Sequence, residues 1–330
     1  MRAIQIERTG DSREMKLADL PIPEPGPGDV LIRVACAGVN PADWKCREGR
    51  LGAFLRYTFP FVIGFDVAGV VVSTGGEVDR FPPGTRVFAQ TDVGAGKWGS
   101  YAEFVAVHHD SIVRIPDDMS FAEAAAMPTP ALAAWTALFD DANLQPGQNV
   151  LIHGGAGAVG AFAIQLAKHA GARVYATCAG QNKEYVEMLG ADCSVDYQTA
   201  NIPDAVRAWA PQGVDVVIDA VGTQTLPNAL DMLAPGGILV SIMTLDAGDS
   251  ERLSVIANEA EQKGLRTALT YSRMPSGERL ARIAELVANG RLRAPRIEAM
   301  RLDDAARALD LVQSGKAKTK LVLHVADVGG

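Results

Sequence analysis

The chain has 330 residues, and its length alone predicts about two domains. Hydrophobic residues account for 48% of the sequence and charged residues for 21%, a composition typical of a soluble globular protein. The formal net charge of −8 argues against nucleic acid or an anionic membrane as a partner of the whole protein, and no apolar run approaches the roughly 20 residues that span a bilayer.

The cysteines and the first residues indicate the compartment. Cys36, Cys46, Cys178 and Cys193 are scattered without a C-x-x-C pair, which favours reduced thiols in a cytosolic protein. The chain begins without a basic segment followed by an apolar core, so we expect no secretory signal. Together these features predict a cytoplasmic protein.

Residues 1–115 have the pattern of one strand after another, separated by glycine and proline. A rigid, proline-rich connection runs from Pro21 to Gly28, because proline fixes φ and lacks an N–H donor. Strands are expected at residues 3–7, 30–39, 67–73, 86–90 and 101–107. This part of the chain is therefore predicted to be a compact, mostly antiparallel β unit.

Strands and helices alternate in the middle of the chain. Pro128-Thr129-Pro130 interrupts an alanine-rich helix pattern, which we expect to resume at residues 131–140. Beyond residue 148 we predict strands at 150–152, 173–177, 193–196, 214–219 and 238–242, with helices at 159–170, 183–189, 204–209 and 225–233. This order predicts a parallel, doubly wound sheet with right-handed crossovers. Ile238–Ile242 would be its exposed edge, and edge pairing across a two-fold axis predicts a homodimer.

The segment 150–160 reads Val-Leu-Ile-His-Gly-Gly-Ala-Gly-Ala-Val-Gly. An apolar strand ends in glycines, and a helix pattern follows at once, with glycines in a G-x-G-x-x-G frame. Such glycines permit a tight turn, a close approach of the backbone to a pyrophosphate and close helix packing. The predicted contacts to a dinucleotide are Gly155, Ala156, Gly157, Ala158, Val159 and Gly160. The alternative is a glycine-rich turn that binds no ligand.

The following strands bear on the rest of this dinucleotide site. No acid lies between Arg173 and Lys183, where an NAD site places the carboxylate for the ribose 2′-hydroxyl, so a 2′-phosphate is permitted. Lys183 is a candidate partner of that phosphate or, alternatively, a solvated helix residue. Because ligands lie at the carboxyl ends of parallel strands, four more residues are expected to line the cofactor cleft: Val221, Gly222, Ile242 and Met243.

The end of the chain is predicted to be mainly helical, at residues 251–263, 277–289 and 303–314, with strands at 266–269 and 320–325. We expect the dinucleotide-binding domain to be an insertion. Its predicted bounds are residues 123–265, and residues 1–122 together with 266–330 form the other, discontinuous domain.

Five motifs occur together in this order: Pro25-x-x-Gly28-x-Val30, Gly38-Val39-Asn40-Pro41-Ala42-Asp43, Phe59-Pro60-x-x-x-Gly64-Phe65-Asp66, Gly99-Ser100-Tyr101-Ala102-Glu103 and the glycine turn. With them the chain resembles, over essentially its whole length, the medium-chain dehydrogenase/reductase superfamily, in particular its zinc-free quinone oxidoreductase and enone reductase branch. The resemblance implies an α/β fold with a GroES-like, mostly antiparallel β domain and a Rossmann-type, doubly wound parallel sheet domain.

The same resemblance predicts that no metal is bound. Asn40 and Phe65 stand where zinc alcohol dehydrogenases carry a cysteine and a histidine, and residues 91–100, which match their structural zinc loop, contain no cysteine. Cys46 and the pair His108-His109 are expected to be incidental. Alcohol oxidation would then lack its Lewis acid, whereas hydride transfer to a quinone or an enone spreads the negative charge over a conjugated system.

The resemblance also implies site residues. Asn40 and Asp43 match positions where nicotinamide and substrate meet, the alternatives being a turn asparagine and a helix-capping aspartate. Lys45 stands where several relatives carry tyrosine, and no residue is an obvious general acid. The predicted catalytic residues are Asn40, Asp43, Lys45, Tyr57 and Tyr271. Further predicted cofactor contacts are Asn40 and Thr129 near the nicotinamide, and Tyr197 and Lys318 near the 2′-phosphate.

These inferences predict a zinc-independent, NADPH-dependent reductase of a quinone or an α,β-unsaturated carbonyl compound. Its expected partner is a small-molecule electron acceptor, with no nucleic acid and no membrane. Another activated acceptor, such as an acrylyl thioester, fits equally, because the substrate pocket depends on loops 45–60 and 265–275. A third hypothesis is that the protein is a cofactor-binding scaffold or stress protein with little turnover. The acidic net charge argues against an RNA-binding role of such a protein.

Overall fold

The computed structural model describes residues 1–242, 248–272, 274 and 276–328. The strands within these ranges are β1 Arg2–Ile6, β2 Lys16–Asp19, β3 Asp29–Gly38, β4 Phe61–Val62, β5 Asp66–Thr74, β6 Arg86–Gln90, β7 Phe104–His108, β8 Ile112–Arg114, β9 Asn149–His153, β10 Arg173–Cys178, β11 Cys193–Asp196, β12 Val214–Asp219, β13 Leu233–Ile242, β14 Arg266–Thr270, β15 Ile297–Arg301 and β16 Lys320–His324. The helices there are α1 Pro41–Arg47, α2 Phe121–Ala125, α3 Pro128–Trp135, α4 Ala158–His169, α5 Lys183–Met188, α6 Ile202–Trp209, α7 Asp249–Gln262, α8 Gly277–Ala288 and α9 Ala305–Gln313.

The chain folds as two compact units. The split unit combines Met1–Pro130 with Met274–Gly330, and the continuous unit is Ala131–Arg273. The units therefore change over after residues 130 and 273, whereas the predicted domains change over after residues 122 and 265. In the described part of both units, no helix is long and apolar enough to cross a lipid bilayer.

The continuous unit is built on a parallel sheet with the strand order β11-β10-β9-β12-β13-β14 in its described residues. Val150, Leu151 and Ile152 of β9 are completely buried, as expected for a central strand that is covered on both faces. The predicted parallel, doubly wound sheet is confirmed.

Three details in or directly before this unit differ from the predictions. Strand β14 pairs in parallel with Ile238–Ile242, so the prediction that this segment forms the sheet edge is wrong. The helix predicted at 225–233 is only a 3₁₀ turn, Ala229–Met232, because Pro227 disfavours a helical backbone at Leu226 and so opposes a helix start at Thr225. Helix α3 begins at Pro128 rather than after the prolines, since proline is well tolerated in the first helical turn.

The split unit contains the predicted antiparallel β structure. Its long strand β3 pairs antiparallel with β5, β7 and β16, and a second sheet has the order β2-β1-β4. Strand β15, which the sequence pattern did not reveal, pairs in parallel with β16. Gly38 at the end of β3 lies opposite both Asp66 of β5 and Val322 of β16, so segments far apart in sequence meet there. The predicted fold class is confirmed.

Candidate functional site

The glycine turn follows β9 in the continuous unit. Gly154 has φ +82°, and the N–H of Gly155 donates to the carbonyl of Thr177 at 2.8 Å. The N–H of Gly157 donates back to the carbonyl of Gly154 at 3.0 Å, and α4 starts at the next residue. This is the predicted strand, tight turn and helix, and the first N–H groups of α4 provide the positive end of the helix dipole.

Close packing fixes the inner side of this turn. A Cβ atom on Gly160 would lie 2.2 Å from the carbonyl oxygen of Gly154 and 2.8 Å from the Cα of Gly155, so only glycine fits. Gly157 is exposed, and a Cβ atom there would have the Gly154 oxygen at 3.3 Å as its nearest neighbour. The turn is therefore tight inside and accessible outside, which is the geometry that a pyrophosphate requires.

His153, directly before the turn, was not among the predicted site residues. Its Nε2 lies 2.9 Å from Oγ1 of Thr225, which itself donates to the carbonyl of Gly222 at 2.7 Å. Because that hydroxyl has one proton, Nε2–H must be the donor to Thr225. Oγ1 of Thr177 accepts from the N–H of Gly154 at 3.1 Å and lies 2.7 Å from Nδ1 of His153. In a neutral imidazole with its proton on Nε2, Nδ1 accepts from this hydroxyl.

Burial agrees with this assignment. His153 is buried, and desolvation lowers its pKa although the charge of Asp219 acts in the opposite direction. Oδ1 of Asp219 accepts from the N–H groups of Val221 and Gly222, at 3.0 and 2.9 Å. The network thus joins the glycine turn after β9 to the turn after β12 that holds two predicted cofactor residues. A polar residue at the last position of a buried strand was the available sequence signal.

The other predicted cofactor residues are spread over both units. Lys183 is exposed at the start of α5, and Tyr197, 49% exposed, follows β11 with its N–H bonded to the carbonyl of Cys178 at 3.1 Å. Ile242 is the last residue of β13, and Met243 lies outside the described residues. Lys318 is exposed and belongs to the split unit. Their roles in binding stay predictions.

A buried polar cluster occupies the meeting point of β3, β5 and β16 in the split unit. Asp66 accepts from Nδ2 of Asn40 at 2.8 Å, and from the N–H and the hydroxyl of Thr129 at 2.9 and 2.6 Å. Nζ of Lys320 donates to the carbonyl of Val39 at 2.9 Å and to Oδ1 of Asn40 at 2.5 Å, and it lies 3.9 Å from Asp66. Three predicted or motif positions thus share one hydrogen-bonded network.

The charges of this cluster compensate each other. Burial raises the pKa of Asp66 and lowers the pKa of Lys320, while the attraction between the carboxylate and the ammonium counteracts both shifts. The side chain of Asn40 donates to one of these charges and accepts from the other. Lys320 was missed from the sequence, because only the strand register brings it to this place.

Asp43 lies in the same region and is fully buried. Its carboxylate accepts from the N–H groups of Asn40 and Phe65, at 2.6 and 3.1 Å, and from the hydroxyl of Tyr101 at 3.1 Å. Burial raises the pKa of Asp43 to about 7, against the effect of the backbone hydrogen bond from Asn40. The hydrogen bond that the N–H of Asn40 donates to the carboxylate of Asp43 is the helix-capping arrangement. A contact between Asp43 and substrate stays a prediction.

The remaining predicted catalytic residues have other surroundings. Nζ of Lys45 lies 5.2 Å from the centre of the Trp44 ring, and the side chain is buried. The hydroxyl of Tyr57 donates to the carbonyl of Cys46 at 2.8 Å, and burial raises the pKa of Tyr57. Tyr271 is 45% exposed in the continuous unit. The structure thus groups Asn40, Asp43 and Thr129 through shared hydrogen bonds, and the roles of Lys45, Tyr57 and Tyr271 stay predictions.

His108, His109 and Asp110 form a cluster whose possible ligand atoms lie within 4.8 Å of one another in the described chain. The guanidinium of Arg80 lies 2.8 Å from Nδ1 of His109 and 3.2 Å from Asp110. A fixed cation among the ligand atoms opposes the binding of a second cation. This cluster is therefore a poor candidate for a metal centre.

Two family descriptions match the chain: alcohol dehydrogenase GroES-like domain over residues 26–117, and zinc-binding dehydrogenase over residues 158–282. The chain is 32% identical to the chloroplastic quinone-oxidoreductase QR1 of Triphysaria versicolor, over 98% of each protein. This chain belongs to the medium-chain dehydrogenase/reductase superfamily, in its quinone oxidoreductase branch. It is an oxidoreductase, and its family uses nicotinamide cofactors.

Two further proteins are similar to this chain over nearly its whole length. A 2-methylene-furan-3-one reductase of Solanum lycopersicum is 31% identical over 98% of this chain and 79% of its own length. The crystal structure of an NAD-dependent alcohol dehydrogenase superposes with a TM-score of 0.88 at 30% identity, covering 99% of this chain and all of the other. Their names thus include an enone substrate and, for the alcohol dehydrogenase, NAD.

Two glycine variants separate packing from binding. Gly160→Ala should lower the free energy of unfolding by about 3 kcal/mol, because its methyl group meets backbone atoms that cannot move independently. Gly157→Ala should change stability by less than about 1 kcal/mol but weaken dinucleotide binding, because its methyl group points to the open side. Urea unfolding and nucleotide titration measure the two effects. Equal stability of both variants would contradict the packing argument.

His153→Phe removes both ring nitrogens and leaves two threonine hydroxyls without their partner. We expect dinucleotide affinity to fall about tenfold and the free energy of unfolding to fall by about 2 kcal/mol. Tyr175→Phe, which removes one polar group from a buried side chain of the neighbouring strand, serves as the control and should leave the affinity unchanged. The network has no role in binding if His153→Phe and the control bind alike.

The pKa of Asp43 gives stability a defined pH dependence. Its folded value of about 7 exceeds the ordinary 3.8, so its contribution is fully present below pH 3.8 and is lost as the pH rises through about 7. Asp43→Asn cannot titrate. The quantity to measure is the difference between the free energies of unfolding of the native protein and of this variant. In urea titrations this difference should fall by about 4 kcal/mol between pH 4 and pH 8. A difference that is constant with pH would refute the assignment.

Proposed function

We propose that the protein is a zinc-independent, NADPH-dependent reductase that transfers hydride to a quinone or an α,β-unsaturated carbonyl compound. The observation that carries this proposal is the combination of an open glycine turn with a buried polar cluster that contains its own cation. The names of the similar plant proteins, a quinone-oxidoreductase and an enone reductase, support the two acceptor classes.

The residues of the continuous unit fit a dinucleotide. The backbone from Gly155 to Gly160 would hold the pyrophosphate. The hydrogen bonds around His153 would fix the turn after β9 relative to the turn after β12. Lys183, Tyr197 and Lys318 are proposed contacts of the 2′-phosphate. The proposed contacts of the nicotinamide half are Val221, Gly222, Ile242 and Met243. A bound, reduced nicotinamide supplies the hydride.

The donor set of the split unit supports the proposed zinc independence. The amide of Asn40 and the ring of Phe65 stand at the two ligand positions, and neither replaces a thiolate or an imidazole. Oδ1 of Asn40 already accepts a hydrogen bond from the Lys320 ammonium, which also balances Asp66. A metal ion beside this ammonium would be repelled, so we assign no Lewis acid to the reaction.

A conjugated acceptor makes this chemistry possible without a metal ion. Hydride addition to a quinone or to the β-carbon of an enone leaves a negative charge that is shared with an oxygen atom, and a few hydrogen bonds stabilise it. We propose Asn40, Asp43, Thr129, Lys45, Tyr57 and Tyr271 as residues of the substrate and nicotinamide site. The final proton is proposed to come from water.

We further propose that the protein is a homodimer. In the described residues β14 is the last strand of the parallel sheet, and it offers one free edge. Its Leu269 is 42% exposed, and Val255 on the neighbouring α7 is 65% exposed. Pairing of two such edges across a two-fold axis would cover both side chains.

The acceptor class is tested by mixing NADPH with the protein and following the absorbance band of the reduced nicotinamide. We expect oxidation of NADPH with a quinone, with an enone, or with both, and no loss of rate after treatment with a zinc chelator. NADPH without an acceptor is the control. Tight binding without oxidation would favour a scaffold role, oxidation by an acrylyl thioester alone would indicate that substrate class, and inactivation by the chelator would contradict the zinc-independent mechanism.

A further inference from the structure

An acidic side chain lies at the carboxyl end of the second strand of the nucleotide-binding sheet, although it comes from the third. Strands β10 and β11 pair in parallel with Cys178 opposite Asp196, so the end of β11 lies beside the end of β10. A Cβ atom on Gly180 would be only 2.7 Å from Oδ2 of Asp196. The carboxylate of Asp196 can therefore occupy this position only because Gly180 has no side chain.

One oxygen of the Asp196 carboxylate is held by a backbone hydrogen bond, and the other can accept a hydrogen bond from a ligand. Its Oδ1 accepts from the N–H of Gln198 at 3.0 Å, which fixes the side chain, and the residue is half-buried. Asp196 forms no ion pair with any described lysine or arginine. Oδ2, on the side of Gly180, is thus an acceptor at the place where dinucleotide-binding sheets recognise the ribose 2′-position.

A positive charge is near the same place. Lys183 is exposed at the start of α5, five residues after the end of β10. Burial raises the pKa of the Cys178 thiol, Asp196 raises it further and Lys183 lowers it, so both charges act at the end of β10. This corner of the sheet therefore combines one anion and one cation.

We propose that Asp196 is a specificity residue for the dinucleotide, a proposal that rests on the proposed reductase function. Its carboxylate accepts a hydrogen bond from the ribose 2′-hydroxyl of NADH and repels the 2′-phosphate of NADPH, whereas Lys183 attracts that phosphate. The protein consequently binds and uses both dinucleotides, and its preference for NADPH is small. No carboxylate between residues 173 and 183 is needed for this effect, because the strand register supplies one.

Asp196→Asn tests the proposal, since it removes the charge and keeps an oxygen for the N–H of Gln198. The ratio of NADH to NADPH dissociation constants, measured by titration of each reduced dinucleotide, should rise at least about tenfold. Lys183→Gln should move the same ratio in the opposite direction. Asp204→Asn, an equal loss of charge on the exposed face of α6, is the matched control and should leave the ratio unchanged.

The binding ratio does not depend on turnover, so it distinguishes this inference from the proposed function. If both dinucleotides bind and the ratio shifts while no acceptor is reduced, the reductase function fails and the role of Asp196 holds. If Asp196→Asn changes the ratio no more than Asp204→Asn does, the proposal is overturned. It is also overturned if the native protein binds neither dinucleotide, or binds NADPH and shows no measurable affinity for NADH.

Discussion

The packing of helix α4 against the glycine turn is the constraint on which the nucleotide site depends. Gly160 lies against the carbonyl of Gly154, and this contact brings the first N–H groups of the helix next to the end of β9. The same turn is held from the other side by Thr177 and His153. A buried histidine, whose pKa is lowered by desolvation, thus links two turns at the carboxyl ends of neighbouring strands, where parallel sheets bind their ligands.

The split unit buries a carboxylate and an ammonium next to each other. Asp66 is balanced by the ammonium of Lys320, and Asn40 bridges the two groups with one donor and one acceptor. Removal of either charged partner would leave the other charge buried and uncompensated, a costly state in a protein interior. The cluster therefore makes the amide of Asn40 part of a charge network, and this use of Asn40 underlies the proposed chemistry.

Much of the fold could be predicted because its signals are local. Apolar strands, proline-rich connections and the glycine frame identified the sheets and the turn after β9. The helix expected at 225–233 was wrong because Pro227 counts against it locally, and the sheet edge was wrong because β14 follows only after a long helix. Lys320 and Asp196 could not be placed from the sequence, since only the register of distant strands brings them to their sites.

The central claim is that a pyridine nucleotide binds at the glycine turn of a protein that requires no metal ion. The most direct measurement is native mass spectrometry of the purified protein after dialysis against a zinc chelator, with and without added NADPH. The account predicts one nucleotide bound per chain, no zinc, and loss of the bound nucleotide in a Gly157→Val variant that remains folded. A chain that takes up nucleotide only when stoichiometric zinc is restored, or that binds none at all, would contradict it.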